Sequence, residues 1–410
     1  MDNNYEYKTS HPWLNFSLDM RGVLPRLWMS LGEAQSKCMN IAGVPLQPET
    51  AKRLHKIYLA KGVHATTAIE GNSLSEDDVL KKIEHRQLNL PVSQGYLETE
   101  VKNIIELCND LKGEINHSGF GNLDRLKIQE FNRIILKGLP LPEEVIPGEI
   151  RKHSVVVANY RGAPAKECEY LLDKMCSWLN SEAFRSQNEN ERIAYGVLKA
   201  IVAHIYLAWI HPFGDGNGRT ARIVEFYILM ASGVPSPATQ LLSNHYNQTR
   251  SEYYRQLSRT SSELNGNLIP FIEYAVQGLV DGLKIQVEWI RRQHVIVTWR
   301  NFVFDSFKGK SGATSDRQRN LVLDLSEKTD PVTLNKIPEI SPRMAIAYAR
   351  KTTKTMRRDI NALLKMQPSL IVKKSEGITA NIGMITAFLP KRHTLPDGHQ
   401  HENPISEAGV

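Results

Sequence analysis

The chain has 410 residues, of which 41% are hydrophobic and 23% are charged, and this balance indicates a globular protein with room for two or three domains. Four scattered cysteines without a C-x-x-C pair argue against a disulfide framework or a zinc ribbon and favour a reducing, cytoplasmic setting. The net charge of +7 is uneven, because residues 343–374 carry nine Lys and Arg against one acid, which indicates a local binding surface. The N-terminus has no apolar h-region, and the longest apolar run, residues 200–210, is too short to span a bilayer, so neither a signal peptide nor membrane contact is expected.

Amphipathic helices are predicted along most of the N-terminal half. Residues 48–71 have apolar side chains at helical spacing and end at Gly71, a residue suited to a C-cap. The next helix begins after Ser75, an N-cap residue with Asp78 three positions later. Residues 123–139 repeat the amphipathic pattern.

One segment interrupts the helical pattern. Residues 153–164 contain the β-branched run Val155, Val156 and Val157, followed by Asn-Tyr-Arg-Gly, which is a turn signal. A short β-hairpin is therefore predicted. Its exposed edge could pair with an extended segment of a target protein, main chain to main chain, and a purely structural hairpin is the equal alternative.

The stretch HPFGDGNGRTAR, residues 211–222, lies between two apolar helices. The first of them, residues 192–210, is apolar nearly all round and is predicted to be buried. The turn at residues 216–218 opens the second helix, where free backbone N–H groups form an anion site that glycines allow a ligand to approach closely. Arg219 and Arg222 lie on one face of that helix, and two guanidinium groups beside such N–H groups suit a polyphosphate.

Two more side chains of this stretch carry chemistry. Asp215 supplies one carboxylate, which is what Mg²⁺ takes from a protein when phosphates and water fill its other positions. His211 is the only group there that accepts a proton near pH 7. Together they predict a bound magnesium nucleotide and a hydroxyl that His211 deprotonates. The alternatives are a glycine-rich turn with surface arginines, and a zinc site at His204 and His211 that lacks a third ligand at suitable spacing.

The same stretch resembles the signature of the Fic family, H-x-F-x-D/E-G-N-G-R-x-x-R, at every fixed position. The resemblance implies an all-α, Fic-type helical bundle and the transfer of AMP from ATP to a Ser, Thr or Tyr hydroxyl of a protein, with release of pyrophosphate. It makes His211 the general base and Asp215 the residue that positions Mg²⁺. Residues 216–218 would hold the α-phosphate region, and Arg219 and Arg222 the β- and γ-phosphates. The ATP-binding residues that it implies are Glu70, Pro212, Phe213, Gly214, Asp215, Gly216, Asn217, Gly218, Arg219 and Arg222.

A second stretch, TTAIEGN at residues 66–72, resembles the inhibitory motif of the family, S/T-x-x-x-E-G/N. The matching residues are Thr66, Glu70 and Gly71. The resemblance implies that Glu70 pairs with Arg222 and occupies the space that the γ-phosphate needs, so that ATP binds in an unproductive pose. By itself the pattern predicts only a charged helix end that Gly71 caps.

Two other segments gain an interpretation from the resemblance. The hairpin at residues 155–157 is similar to the flap of the family, which registers a target hydroxyl over His211. Residues 241–257 resemble the segment that closes over adenine, although Thr249 stands where the family often has Asn. A core helix with buried tyrosines is the alternative for that segment.

The basic segment near the C-terminus is also predicted to be helical. Apolar residues recur at helical spacing, and polar residues with cations fall on the opposite side; the two sets are Met356, Ile360, Leu363 and Leu364, and Thr352, Lys354, Arg357 and Arg358. A strand pair follows. The pattern resembles a winged helix-turn-helix whose recognition helix enters the major groove of DNA. Dimerisation and protein docking are the alternatives.

The predicted organisation has five parts, which are an N-terminal helical region with the inhibitory helix (1–120), a Fic catalytic core (121–300), a linker (301–316), a winged-helix domain (317–390) and a disordered tail (391–410). We expect a cytoplasmic, autoinhibited protein adenylyltransferase that uses ATP and Mg²⁺ and modifies a target protein or itself, with a homodimer left open. The alternatives are a DNA-binding regulator whose Fic portion senses nucleotide, and a Fic enzyme that removes AMP or transfers another phosphate-containing group.

Overall fold

The structure is a computed structural model that describes residues 5–118, 121–157 and 160–386. The chain divides into two compact units, Met1–Ile290 and Arg291–Val410. Helices account for most of the described residues, in agreement with the predicted class, and the strands among those residues form two short hairpins.

The first unit contains a series of helices and one hairpin. In chain order the helices are α1 (Tyr7–Ser10), α2 (Pro25–Gly43), α3 (Pro48–Ala68), α4 (Glu76–Ile83), α5 (Gly95–Ser118), α6 (Arg125–Ile135), α7 (Cys168–Leu179), α8 (Arg192–Ile210), α9 (Asn217–Ala231), α10 (Leu241–Gln248), α11 (Arg250–Ser262) and the beginning of α12 (Ile269–Ser306). Short 3-10 turns occur at Val92–Gln94, Ala165–Glu167, Glu182–Phe184 and Glu189–Glu191. The antiparallel strands β1 (Val156–Val157) and β2 (Tyr160–Arg161) form the hairpin, as predicted.

Helix α8 is the centre of the first unit. It is apolar nearly all round and packs against α2, α7 and α9, so its side chains are buried on almost every face, as predicted. The segment Glu189–Ile210 is longer than the apolar run seen in the sequence, and by length and composition, with a mean hydropathy of 1.7, it would suffice to cross a membrane. Since 78% of its most apolar stretch is buried inside this unit, the packing of a core helix accounts for its composition.

The junction between α3 and α4 is fixed by local sequence. Helix α3 ends at Ala68, three residues before the predicted end, and Gly71 adopts a φ of +99°, which favours glycine. At the start of α4, the Ser75 hydroxyl accepts a bond from the Asp78 N–H at 3.1 Å, and the Asp78 carboxylate accepts one from the Ser75 N–H at 3.2 Å. The predicted N-terminus of α4 is therefore confirmed as a capping box.

The second unit begins within α12. Its further elements are α13 (Ala313–Ser326), a 3-10 turn at Leu334–Glu339, α14 (Pro342–Tyr348), α15 (Thr353–Leu364), β3 (Ile371–Lys374), β4 (Gly377–Ala380) and α16 (Gly383–Thr386). Strands β3 and β4 are antiparallel, with Ile371 opposite Ala380, and a single antiparallel bridge joins Val332 to Ile378 of β4. The predicted order of helices followed by a hairpin is confirmed. The tail predicted to be disordered, residues 391–410, lies outside the described residues.

The predicted linker at residues 301–316 differs from what the structure contains there. Helix α12 continues to Ser306 and α13 begins at Ala313, so most of that segment is helical. The physical reason is burial, because Trp299, Val303 and Phe307 belong to the core of the second unit. Apolar side chains that pack in a core at helical spacing favour continuation of the helix through the segment that carries them.

A buried ion pair lies in the core of the second unit. The Asp359 carboxylate on α15 accepts bonds from the Arg317 guanidinium on α13 at 2.7 and 3.1 Å, from Gln318 at 3.0 Å and from the Tyr348 hydroxyl at 3.1 Å. The Asp359 side chain is fully buried, and that of Arg317 is 8% exposed. The pair therefore fixes how α13, α14 and α15 pack.

Replacing Asp359 by Ala is expected to destabilise the second unit by roughly 3 kcal/mol, because the buried Arg317 would lose its counter-charge. Calorimetry of the full chain measures this effect. Asp330→Ala, which removes an exposed acid of the same unit, is the matched control. Equal unfolding temperatures for the two variants would show that the pair does not stabilise the unit.

Candidate active site

The loop between α8 and α9 is closed by its own side chains. His211 follows α8 with a φ of +51°, and Gly216 precedes α9 with a φ of +76°. The Asn217 side chain accepts a bond from the Phe213 N–H at 2.9 Å and donates one to the Phe213 carbonyl at 2.8 Å. A left-handed conformation at a residue other than glycine persists only where the surroundings hold it. The loop therefore fixes the position of His211 at some conformational cost.

The imidazole of His211 is oriented by the helix that it ends. Its Nδ1 lies 3.3 Å from the Ala208 carbonyl, which can only accept, so Nδ1 carries the proton and Nε2 remains the acceptor. Burial lowers the pKa of His211 below its usual 6.5; the bond to Ala208 opposes this effect, and nearby Arg151 adds to it. A neutral imidazole with an unprotonated Nε2 can take a proton from a hydroxyl.

Arg151 stabilises the loop through bonds to backbone carbonyls. The sequence analysis did not predict a role for it. Its Nε donates to the His211 carbonyl at 2.7 Å, its Nη1 to the His153 carbonyl at 2.7 Å, and its Nη2 to the Ala163 carbonyl. The backbone N–H of Arg151 donates to the Pro212 carbonyl at 3.0 Å. A buried cation at the C-terminal end of α8 also complements the helix dipole. The sequence signal was an arginine just before the hairpin, but its acceptors are backbone carbonyls, which no motif reports.

Arg222 on α9 is bonded to the end of α3. Its Nη2 donates to Oε1 of Glu70 at 2.5 Å and to the Thr66 carbonyl at 3.0 Å, while its Nε donates to the Thr66 hydroxyl at 2.7 Å. The Arg222 side chain is 1% exposed, and that of Glu70 is 30% exposed. A Cβ placed on Gly218 would lie 2.3 Å from Oε1 of Glu70. The Glu70 carboxylate therefore lies directly against the start of α9.

Glu70 is held in its ionised form. Burial by itself would raise the pKa of its carboxyl, but Arg222, and more weakly Arg219 and His211, lower that pKa below its usual value. The negative charge lies where the N–H groups of a helix N-terminus attract anions. The Glu70 carboxylate thus occupies the place at which the sequence predicted a phosphate.

Arg219 is bonded to two carboxylates. Its Nη2 donates to Asp215 at 2.9 Å and its Nη1 donates to Glu100 of α5 at 2.6 Å. Its Nε is buried and has no hydrogen-bond acceptor among the described residues. Glu100 was missed by the sequence analysis, because an acid on a helix 119 positions before its partner carries no local signal.

The first strand of the hairpin exposes Val156. The carbonyl of Val155 accepts a bond from the Gly162 N–H at 3.1 Å, and Val156 is 58% exposed. The backbone of β1 pairs with β2 through Val156–Arg161 and Val157–Tyr160. The predicted hairpin is confirmed, and target docking along it stays a prediction.

Some of the predicted site residues lie together at the start of α9, and others pack against the rest of the protein. Those that lie around the start of α9 are Thr66, Glu70, His211, Asp215, Gly218, Arg219 and Arg222. Phe213 and Pro212 are buried, and a Cβ on Gly214 would lie 2.9 Å from Val145, so these loop residues pack against the protein.

The segment predicted to close over adenine forms α10 and α11. Thr249, between the two helices, shares a hydrogen bond of 2.5 Å with the Tyr274 hydroxyl, and Tyr253 is buried while Tyr254 is 45% exposed. Arg250 donates to the Ala68 carbonyl at 3.2 Å and to that of Ile69. This segment therefore caps the end of α3 next to Glu70, and an adenine contact stays a prediction.

Similarity to curated proteins points to one family. Residues 122–229 match the family model described as Fic/DOC family. The chain is 31% identical to protein adenylyltransferase fic-1 of Caenorhabditis briggsae over 57% of this chain and 42% of that protein. It is 28% identical to protein adenylyltransferase Fic of Aedes aegypti over 54% of this chain and 40% of that protein. The chain thus spans less than half the length of these curated relatives.

Solved structures share the fold. A Fic family protein from Desulfovibrio desulfuricans G20 superposes with a TM-score of 0.52 at 16% identity, over 87% of this chain and 94% of that one. A fragment of Fic-1 from C. elegans gives a TM-score of 0.51 at 24% identity, over 65% of this chain and 73% of that one. The matched segment of the family model contains the hairpin and the 211–222 loop, whereas Glu70 and Glu100 lie outside it. Residues 122–229 therefore match a Fic domain, and the relatives and solved structures that resemble the chain carry Fic names.

Proposed function

We propose that this protein transfers AMP from ATP to a hydroxyl group of a protein and that Glu70 restrains the reaction. The observation that carries the proposal is the Glu70 carboxylate bonded to Arg222 at 2.5 Å and lying against Gly218. A negatively charged group at a helix N-terminus beside two arginines marks a site suited to phosphate. The names of the curated relatives support adenylyl transfer as the reaction.

The reaction needs a base, an acceptor and a site for the leaving group. His211 takes the proton of the acceptor hydroxyl at Nε2, and the oxygen forms a bond to the α-phosphorus of ATP. The bond between the α-phosphorus and the bridging oxygen breaks, and pyrophosphate leaves with the negative charge. Arg219 and Arg222 compensate that charge, which is greatest as the bond breaks.

Asp215 is the residue suited to hold Mg²⁺ in this site. Its carboxylate is 44% exposed, although one oxygen already accepts from Arg219. Within the described residues no group of three or more His, Cys, Asp and Glu could hold a metal by themselves, so most of the remaining ligands would be phosphate oxygens and water. When bound, Mg²⁺ neutralises part of the charge of the triphosphate.

Glu70 restrains the reaction by competing for Arg222. While the pair is formed, the guanidinium cannot bind the γ-phosphate, and the carboxylate repels it. ATP then adopts a pose in which the α-phosphorus is not aligned with the acceptor hydroxyl. The exposed Val156 on the first strand of the hairpin supports docking of an extended target segment, which would place that hydroxyl near His211.

Removal of AMP and transfer of a different phosphate-containing group remain the rival reactions, and mass spectrometry of the modified protein distinguishes them. AMP transfer adds the mass of the nucleotide, phosphate transfer adds much less, and removal subtracts the nucleotide. A cytoplasmic location is a further part of the proposal, which fractionation addresses. Self-modification and a homodimer stay open, and labelling and light scattering decide them separately.

Glu70→Gly is expected to raise AMP transfer by about tenfold or more, because removing the competing carboxylate frees Arg222 for phosphate. His211→Ala is expected to lower it by roughly 10²- to 10⁴-fold, the usual effect of losing a general base. Labelling of cell lysate with α-³²P-ATP and Mg²⁺ measures both changes.

Glu263→Gly is the matched control, because Glu263, like Glu70, lies just beyond the end of a helix, but its side chain is 68% exposed and pairs with Arg259. It should label as the parent protein does. Equal labelling by the parent and Glu70→Gly would contradict the inhibitory role, and full activity of His211→Ala would contradict the base.

The pH dependence follows from the lowered pKa of His211. The base must be deprotonated, so the rate falls as pH decreases through its pKa. Since burial lowers that pKa below the usual 6.5, kcat/KM of Glu70→Gly should be level around pH 7 and should decline with a midpoint below 6.5. A midpoint above that value, in steady-state rates across the range, would show that His211 is not the titrating base.

A second function, DNA binding by the second unit, is supported by its surface charge. The order α13, Val332 bridge, α14, α15, β3 and β4 supports the proposed winged helix-turn-helix. The one acid of residues 343–374, Asp359, is buried against Arg317. Because this acid is buried, it does not neutralise the exposed cations of the segment at the surface. The exposed cations on α15 and the hairpin are Lys354, Arg357, Arg358, Lys373 and Lys374.

Replacing Arg357 and Arg358 together by Ala is expected to weaken duplex DNA binding at every sequence and to reduce the salt slope by about 2, because each lost phosphate contact contributes about 0.9. Fluorescence anisotropy with the full chain over a salt series measures this. Lys328→Ala, an exposed lysine of the same unit, is the control. An unchanged slope in the double variant, or no binding by the parent at low salt, would contradict the proposal.

A further inference from the structure

Arg219 lies between two carboxylates that differ in burial. Its bonds run to Glu100 at 2.6 Å and to Asp215 at 2.9 Å. The side chains of Arg219 and Glu100 are 7% and 8% exposed, whereas that of Asp215 is 44% exposed. The bond to Glu100 is therefore the one that is shielded from water, where a charge-assisted bond is strongest.

Glu100 is held in place by the connection between α3 and α4. Its Oε2 accepts a bond from Nδ2 of Asn72 at 2.7 Å. That Nδ2 also donates to the Leu97 carbonyl at 3.0 Å, and Oδ1 of Asn72 accepts from the Leu74 N–H at 3.0 Å. Asn72 is 7% exposed and follows Glu70 by two positions. Both oxygens of Glu100 have partners, and one of those partners comes from the segment that carries Glu70.

Glu100 and Glu70 therefore differ in how easily they can move. The Glu70 side chain is 30% exposed and stands at the end of a helix, so water can replace the bond that it loses. Glu100 has both oxygens bonded in a buried position, and breaking those bonds would leave a buried charge unpaired.

We infer that Glu100 is a positioning residue for the proposed AMP transfer, on which this inference rests: it fixes the guanidinium of Arg219 for the phosphates of ATP, and Asn72 fixes Glu100. Arginine binds phosphate through a rigid planar group, so its orientation sets the affinity. The Nε–H of Arg219 is buried without an acceptor among the described residues, and a phosphate oxygen would satisfy such a donor.

The test uses the full chain with Glu70→Gly, so that the restraint is absent. Adding Glu100→Gln, which keeps the size of the side chain and removes its charge, is expected to weaken ATP binding and raise KM for ATP by about tenfold, with kcat changed much less. Asn72→Ala is expected to weaken ATP binding by a smaller factor and to add nothing when combined with Glu100→Gln, because both act on one guanidinium. Calorimetric titration with ATP and Mg²⁺ and initial rates give the two readouts.

Glu98→Gln on the same helix is the matched control, since Glu98 pairs with Lys82, and it should leave ATP affinity unchanged. Equal or tighter ATP binding after Glu100→Gln would overturn the inference while leaving AMP transfer intact. If Glu100→Gln fails to fold, Asn72→Ala, which keeps every charge, decides the question by the same titration. A Glu70→Gly protein that neither binds ATP nor transfers AMP would instead refute the proposed function.

Discussion

The ion pair between the buried Arg222 and the partly exposed Glu70 lies at the N-terminus of α9, where we propose that phosphate binds. Arg222 is 1% exposed and is also held by the hydroxyl and the carbonyl of Thr66, so its guanidinium keeps its position whichever anion it faces. A buried guanidinium without a counter-charge is strongly unfavourable. In the proposed function, Glu70 and a phosphate group compete for this one partner, so restraint and nucleotide binding are alternative states of the same interaction.

The balance of charge around this pair supports the proposed restraint. Two arginines, Arg219 and Arg222, face three carboxylates, those of Glu70, Glu100 and Asp215. Such a site opposes a triphosphate until the Glu70 carboxylate is withdrawn or the charge of Asp215 is neutralised, whereas the charge of Glu100 stays paired with Arg219. The three acids differ in what they can do, because Glu100 is fixed by buried bonds, Asp215 reaches solvent where Mg²⁺ suits it, and Glu70 stands at a helix end. Withdrawal of Glu70 and neutralisation of Asp215 by Mg²⁺ would therefore both strengthen nucleotide binding.

Local patterns in the sequence predicted the loop at the candidate site, but they did not predict the residues elsewhere in the chain that hold the loop in place. The loop at residues 211–222 and the buried helix before it were predicted because their signals lie within one short stretch. Arg151 and Glu100 were not predicted, since their partners are backbone carbonyls or a residue far away in the chain. The linker expected at residues 301–316 is mostly helical, because the expectation followed the polar stretch 308–316 and overlooked Val303, which α12 buries in the second unit.

The most direct measurement is a crystal structure of the Glu70→Gly protein with ATP and Mg²⁺. We predict that the phosphates lie against Gly218 at the start of α9, that Arg222 contacts a phosphate oxygen while it keeps its bond to Thr66, and that Nε2 of His211 faces the α-phosphorus. Nucleotide bound elsewhere, a loop without phosphate, or an imidazole turned into the protein interior would contradict the proposed phosphate site and the role of His211 as the base.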